Sequence, residues 1–257
     1  MRNKKIIIAN WKMNGNRAAV VTFMSQLREI NHIGLNIAVC LPFPYLETAQ
    51  QILINSKITL GAQDVSAQKN GAYTGDVSAD MLKEFGCQFV LVGHSERRHA
   101  YKETDDFVLA KTRQALMASL NPVICVGESV AERESQMTEA VVLSQVEAVL
   151  KPLTKSEREK CVIAYEPLWA IGSGLSATPT QAQQVHASIR SRLDEIDSGL
   201  SRLIPIIYGG SLKPESADGL FEQQDIDGGL VGSASLKFDD FVAIIRSTSK
   251  SKSKANL

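Results

Sequence analysis

The chain has 257 residues, of which 44% are apolar and 22% are charged, enough apolar side chains for the core of one large domain or two small ones. Lys and Arg together number 28, as do Asp and Glu, so the formal net charge is zero and nothing global attracts nucleic acid or an anionic membrane. We therefore expect no nucleic-acid and no membrane partner, while a local basic site for a small anion stays compatible with this balance.

The start of the chain and its cysteines indicate a reducing compartment. The apolar run of MRNKKIIIAN ends after four residues, too short for the core of a signal peptide. No stretch approaches the roughly 18 apolar residues of a membrane span. The cysteines at positions 40, 87, 125 and 161 are far apart and form no CxxC pair. We predict buried free thiols and a cytoplasmic protein, with disulfides or metal binding as the weaker alternatives.

Short apolar runs recur along the chain, and each is continuous rather than alternating, as expected for strands covered on both faces. In chain order they are Ile6–Ala9, Ile37–Leu41, Ile58–Ala62, Phe89–Val92, Val123–Val126, Cys161–Tyr165, Ile204–Tyr208 and Gly229–Val231. The third run is weak, because Thr59 and Gly61 interrupt it. The seventh contains Pro205, which is compatible with a central strand only near the strand start.

Segments with the apolar period of an α-helix lie between these runs. The clearest stripes are Val142, Val146, Val149 and Leu150; Val185, Ile189, Leu193 and Ile196; and Phe238, Phe241, Val242 and Ile245. Thr178 is a favourable N-cap for the second stripe, Pro179 suits the first helical position, and Gln181 completes a capping box.

Eight strands that alternate with helices in about 250 residues predict an α/β fold, a single-domain closed (β/α)8 barrel, over residues 1–248. An open doubly wound sheet is the alternative, but no GxGxxG follows the first strand. No change of composition indicates a domain boundary. Residues 249–257 are rich in Ser and Lys, and we expect a flexible tail in solvent, with a basic interaction tail as the alternative.

Polar residues follow several predicted strands, at the carboxyl face where such barrels carry their functional groups. In chain order the strand ends carry Asn10 and Lys12; His94, Ser95 and Glu96; Glu166; Gly210 and Ser211; and Gly232 and Ser233. The fold prediction therefore brings these distant positions to one rim.

Glu166 is the candidate base. It stands between apolar residues, and partial desolvation would raise its pKa, which suits the removal of a proton from carbon. An ordinary surface glutamate is the alternative. His94 precedes a possible helical turn, whose dipole would favour a neutral imidazole able to donate a hydrogen bond to a carbonyl oxygen. A structural role is the alternative for His94, and His32, His99 and His186 are interpreted as surface or packing residues.

The remaining strand-end residues indicate an anion site. Lys12 adds a positive charge, and the glycine-containing turns at Gly172, Gly210–Ser211 and Gly232–Ser233 would present backbone N–H groups to a phosphate. Each glycine alone is also explained by turn geometry. With no metal-ligand cluster and no cofactor motif, the set predicts proton abstraction beside a carbonyl of a small phosphorylated substrate.

Motifs throughout the chain carry a family resemblance. NWKMN, GHSERR, AYEPLWAIGSG, YGGSLKP and LVGSASL, in this order, closely resemble those of the triosephosphate isomerases. The resemblance implies a TIM barrel without cofactor or metal. It also implies the interconversion of dihydroxyacetone phosphate and D-glyceraldehyde 3-phosphate through an enediolate, in glycolysis and gluconeogenesis.

The resemblance also implies residue roles. Glu166 would be the base, and His94 would polarise the carbonyl and move protons between the enediolate oxygens. Lys12 would stabilise the negative charge, Asn10 would bind the substrate oxygens, and Glu96 would support Lys12. The amides that would hold the phosphate belong to Gly172, Ser211, Gly232 and Ser233.

The resemblance implies roles for two loops. Residues 167 to about 177 would form a mobile lid, stiffened by Pro167 and Trp169, whose closure excludes water and prevents loss of the phosphate from the enediolate. The stretch Gly61–Ala79 is long for a βα connection. In the family it enters a neighbouring subunit, with Thr74 near that subunit's Asn10 and Lys12. We expect a homodimer, and a loose surface loop is the alternative.

The chain departs from the family pattern at a few positions. Leu175 and Ser176 stand where many relatives carry Lys-Thr, Ser233 where they often carry glycine, and Asp64 where they carry Asn. We expect Leu175 to alter lid dynamics, Ser233 to add a side chain beside the phosphate amides, and Asp64 to weaken the dimer region or change its pH response. The rival functions are another sugar-phosphate isomerase with a larger pocket and a non-enzymatic binding or scaffold barrel.

Overall fold

The computed structural model describes residues 5–30, 34–170 and 176–254, with side chains up to residue 248. Eight parallel strands form a closed barrel in which each strand pairs with the next along the chain and the eighth pairs with the first. They are β1 (Lys5–Asn10), β2 (Leu35–Leu41), β3 (Thr59–Ala62), β4 (Cys87–Val92), β5 (Asn121–Val126), β6 (Val162–Tyr165), β7 (Ile206–Tyr208) and β8 (Gly228–Val231). The predicted (β/α)8 barrel is confirmed, and the open sheet is excluded.

Helices connect the strands and surround the barrel. They are α1 (Arg17–Leu27), α2 (Leu46–Ile52), α3 (Ala79–Glu84), α4 (Ser95–Tyr101), α5 (Asp105–Met117), α6 (Val130–Glu134), α7 (Thr138–Leu150), α8 (Lys155–Arg158), α9 (Pro179–Ile196), α10 (Pro214–Phe221) and α11 (Phe238–Lys254). Single 3-10 turns cover Phe43–Tyr45, Leu168–Ala170, Leu200–Arg202 and Ser233–Leu236. Because α11 continues to Lys254, the backbone of residues 249–254 is helical, and the flexibility of the tail stays a prediction.

The barrel strands bury alternate residues in two apolar layers. Ile6 and Ile8 of β1 point into the barrel with Phe89, while Ile7 and Ala9 belong to the layer between the barrel and the helices. Both faces of each strand are therefore covered, and this is why the apolar runs are continuous. Each fully buried aliphatic side chain contributes roughly 1.5–3 kcal/mol to the free energy of unfolding.

The strand bounds differ from the predicted runs by at most two residues at either end. The seventh run illustrates the reason. Its strand starts at Ile206, directly after Pro205, which has no N–H to donate to the ladder. The carbonyl of Pro205 still accepts from the N–H of Ile163 at 3.0 Å. Hydrogen bonding sets the strand bounds, whereas apolarity marks the buried segment.

Helix α9 begins with the predicted capping box. Oγ1 of Thr178 accepts from the N–H of Gln181 at 3.2 Å, and Oε1 of Gln181 accepts from the N–H of Thr178 at 3.0 Å. The predicted stripe of α9 faces the core, and His186 is buried with it. His186 is therefore a packing residue, whereas His99 lies on the surface and His32 lies outside the described residues.

The cysteines are free and buried, as predicted. Burial raises the pKa of the Cys87 and Cys161 thiols to about 12, and it also raises those of Cys40 and Cys125. All four thiols therefore stay protonated at neutral pH. In the described part of the chain, every helix is too short or too polar to cross a lipid bilayer.

Candidate active site

A pocket of about 310 Å3 opens at the carboxyl ends of the strands. It contains most of the strand-end residues that the sequence singled out: Asn10, Lys12, His94, Glu166, Ser211, Gly232 and Ser233. Gly210, which the sequence also singled out, lines the pocket too, and Trp11, Asn14, Gly209, Leu212, Leu230 and Leu236 complete the lining. A pocket of this size suits a small ligand. Gly172 lies outside the described residues, and Thr74 does not line the pocket of its own chain.

Glu166 follows β6 and is buried, with both carboxylate oxygens engaged. Oε2 accepts a hydrogen bond from the backbone N–H of Ser95 at 2.8 Å, and Oε1 lies 3.1 Å from Nε2 of His94. Burial opposes the charged carboxylate, but His94, the Ser95 N–H and Lys12 together outweigh burial and lower the pKa of Glu166. The predicted rise in this pKa is therefore wrong for the described arrangement, because the desolvated carboxylate has charged and hydrogen-bonding neighbours.

His94 caps helix α4 with its side chain. Nδ1 faces the backbone N–H of Glu96 at 3.3 Å and accepts from it, which favours the neutral tautomer with the proton on Nε2. Nε2 can then donate to Glu166. Burial also opposes the charged imidazole, yet the Glu166 carboxylate outweighs burial and raises the pKa of His94. The sequence predicted the helix contact but missed the carboxylate, which lies far away along the chain.

Lys12 is held at the rim by contacts to its backbone and to its ammonium group. Its φ of 52° is left-handed, a conformation that costs a non-glycine residue roughly 1–3 kcal/mol and is common at functional sites. The N–H of Lys12 donates to Oδ1 of Asn10 at 3.0 Å, and its carbonyl accepts from Nε2 of Gln63 at 2.9 Å. Nζ pairs with Oε1 of Glu96 at 2.5 Å. The loop thus places a cation beside the pocket, and Gln63 is a supporting residue that the sequence did not reveal.

The turn after β7 packs closely against Glu166 and Tyr208. A Cβ on Gly209 would lie 2.8 Å from Cγ of Glu166, and a Cβ on Gly210 would lie 2.2 Å from the hydroxyl oxygen of Tyr208. Only glycine allows this approach. The turn after β8 lies beside Lys12, since a Cβ on Gly232 would be at an ordinary contact distance of 3.6 Å from Cε of Lys12. Both candidate phosphate turns therefore border the same pocket as the carboxylate and the cation.

The sequence model of the triosephosphate isomerase family matches residues 5–248, nearly the whole chain. The chain belongs to the triosephosphate isomerase family. The triosephosphate isomerase of Cupriavidus taiwanensis is 51% identical over 242 residues, which cover 94% of this chain and 98% of the relative. That of Dechloromonas aromatica is 50% identical over 244 residues, which cover 95% and 98%. The family resemblance and the isomerase class that the motifs indicated are confirmed.

In this triosephosphate isomerase family member, Glu128 organises the start of the segment that was predicted to be a lid. Glu128 is fully buried, and its Oε1 accepts from Nε1 of Trp169 at 2.8 Å and from the hydroxyl of Tyr165 at 3.1 Å. The guanidinium carbon of Arg133 lies 4.0 Å from the Trp169 ring centroid. Glu128 was not among the predicted site residues, although it follows β5 and obeys the same strand-end rule. Residues 171–175 lie outside the described residues.

The long loop after β3 projects from the barrel. Its base is closed by a hydrogen bond of 2.7 Å from the Ser66 hydroxyl to Asp76, and by another of 2.8 Å from the Ser66 N–H to the Val77 carbonyl. Thr74 and its neighbour Tyr73 are exposed at the tip. Met13, next to Lys12, is 96% exposed, an unusual position for an apolar side chain. The insertion of this loop into a second subunit stays a prediction.

Asp64 joins a buried charge cluster at the start of the same loop. Nζ of Lys111 lies 2.6 Å from both Asp64 and Glu103, and Arg97 approaches the same carboxylates at 2.9 and 2.7 Å. Burial raises the pKa of Asp64 and outweighs the opposing effects of Lys111 and Arg97. Among the described residues, no group of three or more His, Cys, Asp or Glu side chains is placed to hold a metal ion.

Proposed function

We propose that this chain interconverts dihydroxyacetone phosphate and D-glyceraldehyde 3-phosphate through an enediolate, with Glu166 as the base. The observation that carries the proposal is the convergence of Glu166, His94 and Lys12 on one pocket bordered by the glycine turns after β7 and β8. Membership of the triosephosphate isomerase family supports the reaction. Its place is in glycolysis and gluconeogenesis.

Glu166 would take a proton from the carbon beside the carbonyl and return it to the neighbouring carbon. To reach the substrate it leaves the Ser95 N–H and His94, the contacts that lower its pKa. Burial then dominates, and the pKa rises. In the described contacts the Glu166 carboxylate is a weak base. The arrival of substrate would make it a stronger base.

His94 and Lys12 would stabilise the charge that develops on the substrate oxygens. When Glu166 moves away, the proton on Nε2 of His94 becomes available to the carbonyl oxygen, and Nδ1 stays occupied by the N–H of Glu96. Lys12 supplies a positive charge that Glu96 orients. Asn10, which is buried and bonded to the backbone of Lys12, would bind a second substrate oxygen.

The phosphate would be held by backbone N–H groups of Ser211, Gly232, Ser233 and Gly172. Closure of residues 167–177 over the substrate would exclude water and keep the enediolate from losing its phosphate. The hydrogen bond of 3.3 Å from the Ser176 hydroxyl to the Ser211 carbonyl supports a link between this segment and the phosphate turn.

The protein would act as a homodimer in the cytoplasm. The exposed loop tip around Thr74 and the exposed Met13 support an interface in which Thr74 approaches Asn10 and Lys12 of the partner subunit. The buried free cysteines suit a reducing compartment. Gel filtration coupled to light scattering measures the oligomeric state, and a monomer at micromolar concentration would contradict the dimer.

A coupled assay on purified protein tests the reaction in both directions, with each triose phosphate as the starting substrate. We expect turnover of both, and turnover of neither would refute the proposal. A pentose phosphate serves as the control for the rival sugar-phosphate isomerase. We expect no turnover of the pentose phosphate. Activity on the pentose phosphate alone would favour that rival.

A further inference from the structure

Tyr165 and Tyr208 end the adjacent strands β6 and β7, and each precedes a part of the proposed site. Tyr165 stands directly before Glu166, and Tyr208 directly before the turn Gly209–Ser211. The two tyrosines are register partners in the sheet, and both are buried. Their ring positions therefore influence where the base and the phosphate turn lie.

The two phenol groups support different parts of the site. The Tyr165 hydroxyl donates to Oε1 of Glu128, the same oxygen that accepts from Trp169. The Tyr208 hydroxyl lies against Gly210, where an added Cβ would approach it to 2.2 Å. One phenol thus supports the chain after Glu166, and the other supports the phosphate turn.

The His186 ring completes a triangle with the two tyrosine rings, whose own centroids are 6.5 Å apart. Its ring centroid is 5.9 Å from that of Tyr165, edge to face, and 6.5 Å from that of Tyr208. It is fully buried on α9, and burial lowers its pKa to about 3, so the imidazole is neutral. It does not line the pocket and therefore does not touch a substrate there.

Among the described contacts, hydrogen bonding accounts for one nitrogen of the His186 imidazole. Nδ1 lies 3.3 Å from the Asp225 carbonyl oxygen, which also accepts from Nη2 of Arg190 at 2.8 Å. Nε2 is buried and has no hydrogen-bond partner among the residues that the structure describes. An unpaired buried nitrogen costs stability. The flat ring in contact with two other rings is the property that an aliphatic side chain could not supply.

We propose that His186 is a positioning residue, whose neutral ring sets the orientation of Tyr165 and Tyr208 and thereby the placement of Glu166 relative to the phosphate turn. This inference rests on the proposed function, because it links Tyr165 to the base Glu166 and Tyr208 to phosphate binding. His186 acts through the tyrosines and makes no contact with the reacting atoms.

Two alanine variants of α9 test the proposal against simple loss of packing. Ile189 is fully buried on the same helix but has no part in the aromatic group, so Ile189→Ala is the matched control for His186→Ala. We expect His186→Ala to lower kcat/KM for the triose phosphates by about 10- to 100-fold, because small misplacements of reacting groups are costly. Ile189→Ala should lower Tm while kcat/KM stays within about twofold.

Retention of a flat ring should rescue the activity. We expect His186→Phe to restore kcat/KM to within about threefold of the original chain. Where His186→Ala does not fold, His186→Gln, which lacks the ring, should show the same loss. A positioning role lowers kcat and raises KM together, whereas partial unfolding lowers kcat alone. Equal losses in both alanine variants, or no rescue by Phe, would overturn the proposal.

Calorimetric binding of inorganic phosphate separates this inference from the proposed function. If the original chain turned over neither triose phosphate, the proposed function would fail. A phosphate affinity that falls in His186→Ala but not in Ile189→Ala would still support the positioning role. Equal phosphate affinity in these two variants would contradict it.

Discussion

The two mouths of the barrel hold pockets of nearly equal volume, about 310 Å3 at the carboxyl ends of the strands and about 300 Å3 at the amino ends. At the amino mouth, the polar side chains of Asn36, Lys57 and Gln88 are exposed to solvent. At the carboxyl mouth, Glu166 and His94 are buried against each other. Pocket volume does not distinguish the two mouths, whereas a buried pair with shifted pKa values does.

Strand direction explains the difference. All eight strands are parallel, so the loops at the carboxyl mouth lead into helix N-termini, which present unpaired backbone N–H groups. Helix α4 begins at Ser95, and the N–H of that first residue binds Glu166. The amino mouth receives the opposite helix ends, where carbonyl oxygens are in excess. Anion chemistry is therefore favoured at one mouth only.

The largest expected effect comes from removing the charge of the buried carboxylate. Glu166→Gln should lower kcat by about 10²- to 10⁴-fold, the usual contribution of a general base. The amide oxygen can still accept from the Ser95 N–H while the amide NH2 faces His94, so the fold should be retained with a modest fall in the thermal unfolding temperature. Steady-state kinetics and calorimetry measure the two quantities. Near-normal turnover would place the base elsewhere and remove the distinction between the mouths.

A smaller loss of activity is expected from a substitution in the phosphate turn. Gly210→Ala would bring a methyl group against the Tyr208 hydroxyl, so the turn must shift. We expect kcat/KM to fall by about 10- to 100-fold, mainly through a higher KM for the phosphorylated substrate. Kinetics with both triose phosphates measure this effect. A loss of stability with a normal KM would show that the contact with Tyr208 serves the fold alone.

The charge cluster at Asp64 lies at the carboxyl side but outside the pocket, and it should affect stability. Burial raises the pKa of the Asp64 carboxyl above 3.8, so this group binds a proton more tightly in the folded chain than in the unfolded chain. The ionised form therefore costs stability above the raised pKa. We expect Asp64→Asn to increase the free energy of unfolding at neutral pH by about 1 kcal/mol, because the amide would mimic the neutral carboxyl. Glu103 continues to pair with Lys111 and Arg97 in this variant.

The gain from Asp64→Asn should shrink as the pH falls through the raised pKa, because the original carboxylate then becomes neutral as well. Urea unfolding of both proteins at neutral pH and at about pH 4 measures the difference. A variant that is less stable at neutral pH would show that the pairs with Lys111 and Arg97 outweigh burial.

The smallest effect is expected at the amino mouth. Glu159 is exposed and lines the pocket there, so Glu159→Gln makes the same chemical change as Glu166→Gln in a different environment. We expect a change of less than about 0.5 kcal/mol in stability and of less than about twofold in kcat/KM. A large loss of activity would show that the amino mouth takes part in the function.

The fold was predictable because burial on both strand faces leaves a local signal. Runs such as Ile37–Leu41 are apolar without interruption, and the capping box at Thr178 and Gln181 lies within four consecutive residues. The positions of Glu166 and His94 at strand ends were predictable for the same reason. Short-range patterns record what each segment buries and where it ends.

The contacts between those positions were not predictable from local patterns. The Ser95 N–H reaches Glu166 across 71 residues, and this contact reverses the expected pKa shift of the carboxylate. Lys111 and Asp64 are likewise distant in sequence. His186 lies on the apolar stripe of α9, but a polar residue there gives no sign of the two tyrosine rings beside it.

The cysteines inside the barrel provide a probe of its opening. Cys40 and Cys125 belong to the apolar layer enclosed by the strands, and burial keeps both thiols protonated. Alkylating reagents attack the thiolate, so the closed barrel protects both sulfur atoms. Alkylation of either cysteine therefore requires neighbouring strands to separate. The rate of alkylation would then measure the rate at which the barrel opens.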